Sequence, residues 1–189
     1  MNYYDENAKD FFDGTVDADM TQHYEEFLNY LPKYGEILDC GCGSGRDTLK
    51  FKNLGYDVTA IDGSLEMCKL ASEHSGVDVK HMQFQKIDFV DEFDGIWASA
   101  SLLHVPSSEI KEVLNRLKIS LKDNGILYAS FKHGDFEGHR NGRYFNDLTE
   151  DAAKELFEKL DFKVIKTWIT SDARKGRENE KWTNILVKK

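Results

Sequence analysis

Short apolar runs and stretches of helical spacing take turns along almost the whole sequence, and only two prolines, Pro32 and Pro106, interrupt them. Strand-sized runs alternating with helices imply an α/β domain whose sheet is largely parallel. An amphipathic stretch over residues 20–31 stops at Pro32, because the residue before a proline is driven out of the helical region. Residues 36–39 read as a first strand, 48–53 as a helix stopped by Gly55, and 56–61 as a second strand. Ser64 caps the next helix. Residues 77–82, 93–98 and 126–131 read as strands three to five, with a helix over 108–121 whose end Asn124 and Gly125 mark. Thr149 caps a helix to Leu160. Residues 162–169 and 183–187 are closing strands with room only for a loop between them, so they form an antiparallel pair at one edge. One domain over residues 1–189 is expected, with residues 1–34 as an N-terminal helical cap.

The 189 residues, 40% of them hydrophobic, suffice for a sizeable core. With 25 Lys and Arg against 34 Asp and Glu, the net charge of −9 works against phosphate backbones and anionic membranes, so nucleic acid is a disfavoured partner. No run approaches the roughly 20 apolar residues of a membrane span. The start, Met1-Asn2-Tyr3-Tyr4-Asp5-Glu6, lacks a signal peptide's basic and apolar regions, so a cytoplasmic location is expected. Cys40, Cys42 and Cys68 lack the spacing of a zinc site or disulfide framework and read as small buried apolar residues; no metal is expected.

Chemistry concentrates in the first turn. Asp39-Cys40-Gly41-Cys42-Gly43-Ser44-Gly45 lies between the first strand and a helix, where an open α/β sheet binds ligands. Glycines there let the backbone approach a ligand. Asp62, ending the second strand, is placed to accept the hydrogens of a ribose diol. A dinucleotide fingerprint begun at Gly41 needs Gly or Ala at position 46, which is Arg46, and Asp39 would repel a pyrophosphate. The carboxylate suits a ligand bearing an ammonium or sulfonium, such as S-adenosylmethionine.

These segments, with Ile37-Leu38 before the turn, Ala60-Ile61-Asp62-Gly63-Ser64, Phe93-Asp94-Gly95-Ile96-Trp97-Ala98, Leu102-Leu103-His104-Val105 and residues 122–127, resemble class I S-adenosylmethionine-dependent methyltransferases. Within that family the chain is weakly similar to small bacterial enzymes of the tellurite-resistance type, which share a Gly-x-Gly-Arg-x-Ser/Thr turn. The resemblance implies a Rossmann-like doubly wound sheet of seven strands, order 3-2-1-4-5-7-6, mostly parallel with strand seven antiparallel, and an N-terminal helical lid. It also implies that Asp39, Gly41 and Gly43 hold the methionine part of the cofactor, that Asp62 holds the ribose, and that Gly63, Ser64 and Met67 flank the adenine. Ala98 and Ser99 complete the amino-acid end. An acidic residue that the family often carries after strand three is replaced by Met82-Gln83, leaving Gln83 as an acceptor for the adenine amino group. Arg46 pairs either with the cofactor's carboxylate or with Asp47. Tyr4, among the aromatics Tyr3, Tyr4, Phe11 and Phe12 of the lid, would close over the sulfonium.

Methyl transfer by in-line displacement requires positioning, exclusion of water and, for a protonated acceptor, a base. Candidates lie in a polar substrate loop, residues 132–147: Arg143 as substrate anchor, with His133 or Glu137 as base. His104, before Pro106, lies where relatives line the acceptor pocket. If Arg143, Arg174 and Arg177 converge, they suit an anionic acceptor. The leading expectation is a methyltransferase acting on a small molecule, as a monomer or homodimer. The alternatives are an RNA or protein methyltransferase, which the charge disfavours, a non-catalytic module that binds S-adenosylmethionine, and an NAD-dependent oxidoreductase, which Arg46 argues against.

Overall fold

A computed structural model describes residues 3–189. Its main sheet is built from β1 (Glu36–Cys40), β2 (Asp57–Asp62), β3 (Lys80–His81), β4 (Phe93–Ala98), β5 (Leu121–Lys132), β8 (Lys163–Ser171) and β9 (Lys181–Lys188), in the order β3-β2-β1-β4-β5-β9-β8. The order is the expected one. β1 pairs in parallel with β2 and β4, and β4 with β5, whereas β9 runs antiparallel to both β5 and β8.

Successive side chains of a strand point to opposite faces, and this alternation sorts the core into two layers. Leu38, Ile96, Leu127 and Ile185 face α6 (Ser107–Ser120) and α7 (Glu150–Glu158), meeting Ile110, Leu114 and Phe157. Ile37, Trp97, Ile126, Tyr128 and Leu186 face the other way, onto Tyr24 and Phe27 of α3 (Thr21–Leu28) and Phe51 of α4 (Arg46–Asn53). Trp97 stacks on Tyr128 with ring centroids 4.1 Å apart. Burial of each such side chain contributes roughly 1.5–3 kcal/mol. The three cysteines are buried and unpaired, Cys42 and Cys68 in a small cluster where the buried face of α5 (Leu65–Ser75) meets Ala60 and Val79. The expected caps are present: Ser64 Oγ accepts from Met67 N at 3.2 Å, and Thr149 Oγ1 from Ala152 N at 3.2 Å.

Three local expectations change. The third strand shrinks to Lys80 and His81, both exposed at the sheet edge. α6 ends at Ser120, and Asn124 (φ +65°) falls inside an irregular start of β5, where the pairing with β4 shifts register. Residues 132–147 are not simply a polar loop: they contain a separate hairpin, β6 (Glu137–Arg140) and β7 (Arg143–Asn146). Its two-residue turn, Asn141-Gly142, has φ +49° and +76°, the two positive values that a tight turn matching strand twist demands.

The N-terminal cap is helical, as expected. α1 (Tyr3–Glu6) and α2 (Ala8–Thr15) lie against α5 and over the carboxyl ends of the central strands, while α3 packs into the sheet. Residues 1 and 2 of the expected cap lie outside the described residues. Among the described residues no helix is long and apolar enough to cross a membrane.

Candidate active site

Backbone bonds hold the glycine turn to the second strand: Gly41 N and Cys42 N both donate to Ile61 O, at 2.9 and 3.0 Å. Gly41 has φ +80°, and a Cβ there would lie 2.5 Å from Cβ of Ser101, so only glycine passes. Asp62 splints the turn, accepting from Gly43 N through Oδ2 and from Ser64 N through Oδ1, both at 2.9 Å. Burial raises its pKa, and the two N–H donors work against that rise. A carboxylate keeps acceptor capacity beyond two bonds, so a diol can still be held there.

Beneath the turn sit two more carboxylates. Asp39 is 2% exposed and accepts the Thr48 hydroxyl at 2.6 Å; burial first, and the neighbouring Asp47 second, push its pKa up. Asp47 takes a two-point pair from Arg46 (2.6 and 2.8 Å), the Trp97 indole N–H (2.8 Å) and the Tyr24 hydroxyl. Burial opposes its ionisation, but the Arg46 charge and these donors hold it below the usual carboxylate range. Of the two partners considered for Arg46, the structure shows Asp47; the guanidinium also donates to Thr15 O at 3.2 Å.

The N-terminal helices meet His104 and the β6–β7 hairpin through linked contacts. His104 Nδ1 lies 2.6 Å from Tyr144 O, and a carbonyl only accepts, so Nδ1 carries the proton and Nε2 accepts from the Tyr4 hydroxyl at 2.6 Å. Burial pulls the His104 pKa down to about 4, so the ring is neutral at pH 7. Arg143 Nη1 donates to the Tyr4 oxygen at 3.4 Å, and its guanidinium lies 5.0 Å from the ring centroids of Tyr3 and Phe145. His133 differs from His104: the Thr183 hydroxyl gives its proton to Leu148 O (2.7 Å), so His133 Nδ1 donates to Thr183 Oγ1 (2.9 Å), and Nε2 has no protein partner among the described residues. Glu137 accepts from Ser107 N (2.8 Å) and the Tyr144 hydroxyl, tying the hairpin to the start of α6.

A cavity of about 850 Å³ opens at this edge. Its wall brings together Tyr4, Gly41, Gly43, Arg46, Ser99, His104, His133 and Arg143, residues far apart in sequence. Glu137 is not on the wall, and neither are Asp39, Asp62, Gly63, Ser64, Met67, Gln83 and Ala98. The second-strand side is covered by the lid: Asp5 accepts the Ser64 hydroxyl at 2.6 Å, and Phe11 lies 3.3 Å from where a Gly43 Cβ would be. Met67 is buried behind Ser64, Gln83 precedes the short turn Phe84–Lys86, and Ala98 is the buried end of β4. Arg174 and Arg177 do reach the same wall as Arg143, but Arg174 is held by Asp172 (2.8 and 2.6 Å) and Arg177 lies 3.7 Å from Glu180. Sequence reasoning missed the pairing of Arg140 with Asp147, of Lys132 with Glu180, and the wall residues His23, Tyr128 and Asn184. Asn141-Gly142 was the available signal for the hairpin that carries Arg140 and Arg143. Among the described residues no group of three or more His, Cys, Asp or Glu is arranged to hold a metal ion.

Residues 37–125 match the family model of a methyltransferase domain. The chain is 31% identical over 161 residues to an uncharacterized methyltransferase of Staphylococcus carnosus, covering 77% of this chain and 78% of that protein. By structure it is similar to the 1,6-didemethyltoxoflavin-N1-methyltransferase of Burkholderia thailandensis, solved with 1,6-didemethyltoxoflavin and S-adenosylhomocysteine (TM-score 0.78, 22% identity, 98% of this chain and 84% of that one). A methyltransferase from Archaeoglobus fulgidus that depends on S-adenosylmethionine shares the fold over 100% of both chains (TM-score 0.71, 14% identity). Taken with the strand order and the glycine turn, this relationship places the chain among the class I S-adenosylmethionine-dependent methyltransferases, enzymes whose cofactor is S-adenosylmethionine.

Proposed function

We propose that this methyltransferase acts on a small molecule, and that residues 1–189 work as one domain with residues 1–34 as its cap and 132–147 as its acceptor-side segment. One observation carries the reading. The cavity of about 850 Å³ lies under α1, α2 and the β6–β7 hairpin, and its size is that of small-ligand pockets, roughly 300–1,000 Å³. A methyl donor's reactive end and a small acceptor suit that space, and the net charge of −9 gives RNA no electrostatic help.

The donor set on this edge fits the cofactor. Asp39 and the backbone at Gly41 and Gly43 would face its amino-acid end, with Ala98 and Ser99 beside them; Asp62 would take the ribose diol, and Gly63, Ser64, Met67 and Gln83 would surround the adenine. Tyr4 would close over the sulfonium. Bound there, S-adenosylmethionine supplies an electrophilic methyl group. The chain's own part is to hold the acceptor in line and keep water out. His133 is the better placed to serve as base, since its Nε2 has no protein partner among the described residues. His104 has both nitrogens engaged and serves to position Tyr4. Glu137 serves the hairpin.

The test is formation of S-adenosylhomocysteine by the purified chain with a panel of small metabolites, bulk RNA and a protein extract. Turnover with small molecules supports the reading; turnover confined to RNA or protein overturns it. Binding of the cofactor with no turnover on any acceptor would point to a binding module.

A further inference from the structure

Charge on the cavity wall is almost entirely compensated from within. Arg46, Lys132, Arg140, Arg174 and Arg177 each have a carboxylate within 4.0 Å, and Lys181 is exposed and donates to the Ser171 hydroxyl. Arg143 is different. Among the described residues it has no carboxylate partner, although it is half-buried, and its Nε is a buried donor without an acceptor. A buried donor left unpaired costs free energy unless something supplies the acceptor.

The surroundings say what that acceptor is. Rings of Tyr3 and Phe145 lie near the guanidinium, 5.0 Å to each centroid, and Nη1 is spent on Tyr4. Cation–π contacts stabilise the charge but accept no N–H bond in its plane. The Nε–Nη2 edge is the part left over; its two parallel donors form the fork that matches a carboxylate or phosphate, and Nε, covered in this structure, must be uncovered for both to be used. The fork stands on the inserted hairpin, on the first residue after its tight turn. Its path of contacts to the glycine turn runs through Tyr4 and Phe11, whose ring centroids are 5.0 Å apart.

We propose that Arg143 anchors an anionic group, a carboxylate or phosphate, carried by the methyl acceptor and gripped edge-on through Nε and Nη2. This rests on the small-molecule reading and narrows it to acidic acceptors. Because Nη1 of the same guanidinium holds Tyr4, and Tyr4 holds His104, the residue that reads the anion also ties the lid to the hairpin. The cofactor carries a carboxylate of its own, so the two sources must be separated.

Wild-type, R143K and R143M proteins, each saturated with S-adenosylhomocysteine, are titrated calorimetrically with small carboxylic acids and phosphate monoesters, each paired with its neutral amide or alcohol. The expected result is at least one pair in which the wild type prefers the anion ten-fold or more. R143M erases that preference, R143K keeps part of it, and neither loses more affinity for S-adenosylhomocysteine than Tyr4→Phe does. No discrimination in any pair overturns the anchor. A ten-fold loss of S-adenosylhomocysteine affinity in R143M that Tyr4→Phe does not share, in a protein that melts like the wild type, also overturns it and assigns Arg143 to the cofactor's carboxylate. R143K retains the charge and covers the case in which R143M does not fold. Turnover on neutral small molecules as fast as on acids removes this proposal and leaves the small-molecule reading standing; turnover on RNA or protein alone removes that reading itself.

Discussion

Asp47 and Asp172 stand in different parts of the molecule and are built alike. Each is a buried carboxylate that takes a two-point pair from an arginine no more than two residues away, Arg46 or Arg174, and an indole N–H, from Trp97 at 2.8 Å or Trp182 at 3.0 Å. What differs is where the remaining partners come from. Asp47 joins α4 to Tyr24 on α3 and Trp97 on β4, so three elements distant in sequence meet on one carboxylate. Asp172 takes its hydrogen bonds from residues 174 and 182, closing the β8–β9 connection, and lies 3.9 Å from the Lys132 ammonium at the end of β5. The first cluster is a joint of the fold under the glycine turn. The second is a brace for one wall of the cavity.

The difference predicts unequal consequences. Asp47→Ala leaves Arg46 buried without its partner and removes the acceptor of Tyr24 and Trp97, which costs about 3–5 kcal/mol of stability. Urea unfolding followed by tryptophan fluorescence measures this. A loss below about 1 kcal/mol, within the range of exposed pairs, would mean that Asp47 is no joint and the contrast with Asp172 collapses.

Asp62 separates structure from ligand binding on the same half of the sheet. Asp62→Ala should weaken binding of S-adenosylhomocysteine by roughly 1.5–3 kcal/mol, the worth of hydrogen bonds to an ionised group. Part of that loss runs through the turn, because Gly43 N and Ser64 N lose their acceptor. Unchanged affinity by calorimetry would show that the cofactor lies in another register.

At Asp172 the expected effect is smaller and depends on pH. Burial raises its pKa, but the Arg174 and Trp182 donors win and bring it down to about 2. A carboxyl depressed in the folded state contributes stability above its ordinary pKa near 4 and loses that contribution as pH falls through 2. Partial solvent screening reduces the gain to about 1–2 kcal/mol. Asp172→Asn should therefore be less stable than the wild type at pH 7 and converge with it near pH 2, in thermal melts across that interval. Parallel curves would place the titration elsewhere.

The same contrast explains which parts could be read in advance. Gly41, Asp62 and Ser64 act through backbone geometry and short-range bonds, and those demands leave a spaced signature in the chain. The alternation of Ile37 with Leu38, or Trp97 with Ile96, likewise encodes the two layers of the sheet. The pairing of Arg140 with Asp147 depends on how the inserted hairpin folds back, and that of Lys132 with Glu180 on the β5–β9 register; residue types alone specify neither. Arg46 shows the limit: a cation at a helix start was legible as needing a carboxylate, and the structure chooses Asp47. The shortened third strand was not legible, because Val79 has the side chain of a strand residue and packs instead in the cluster under α5.

Tyr4 belongs to neither cluster and touches both halves of the cavity, which makes it the finest probe of how they are coupled. Tyr4→Phe removes one hydroxyl, leaving His104 Nε2 without its donor and Arg143 Nη1 without its acceptor. The ring remains, so Tyr4 should keep its edge contact with Phe11, and the global loss should be about 1 kcal/mol. Hydrogen exchange then locates the effect. If the lid is latched through this hydroxyl, amides of α1 and α2 exchange faster in the variant, while those of β1 and β4 move only with global stability. Uniform acceleration across all four elements would instead make the Tyr4 hydroxyl an ordinary contributor to the fold, with the lid held by its other contacts, among them those of Phe11, Asp5 and Thr15.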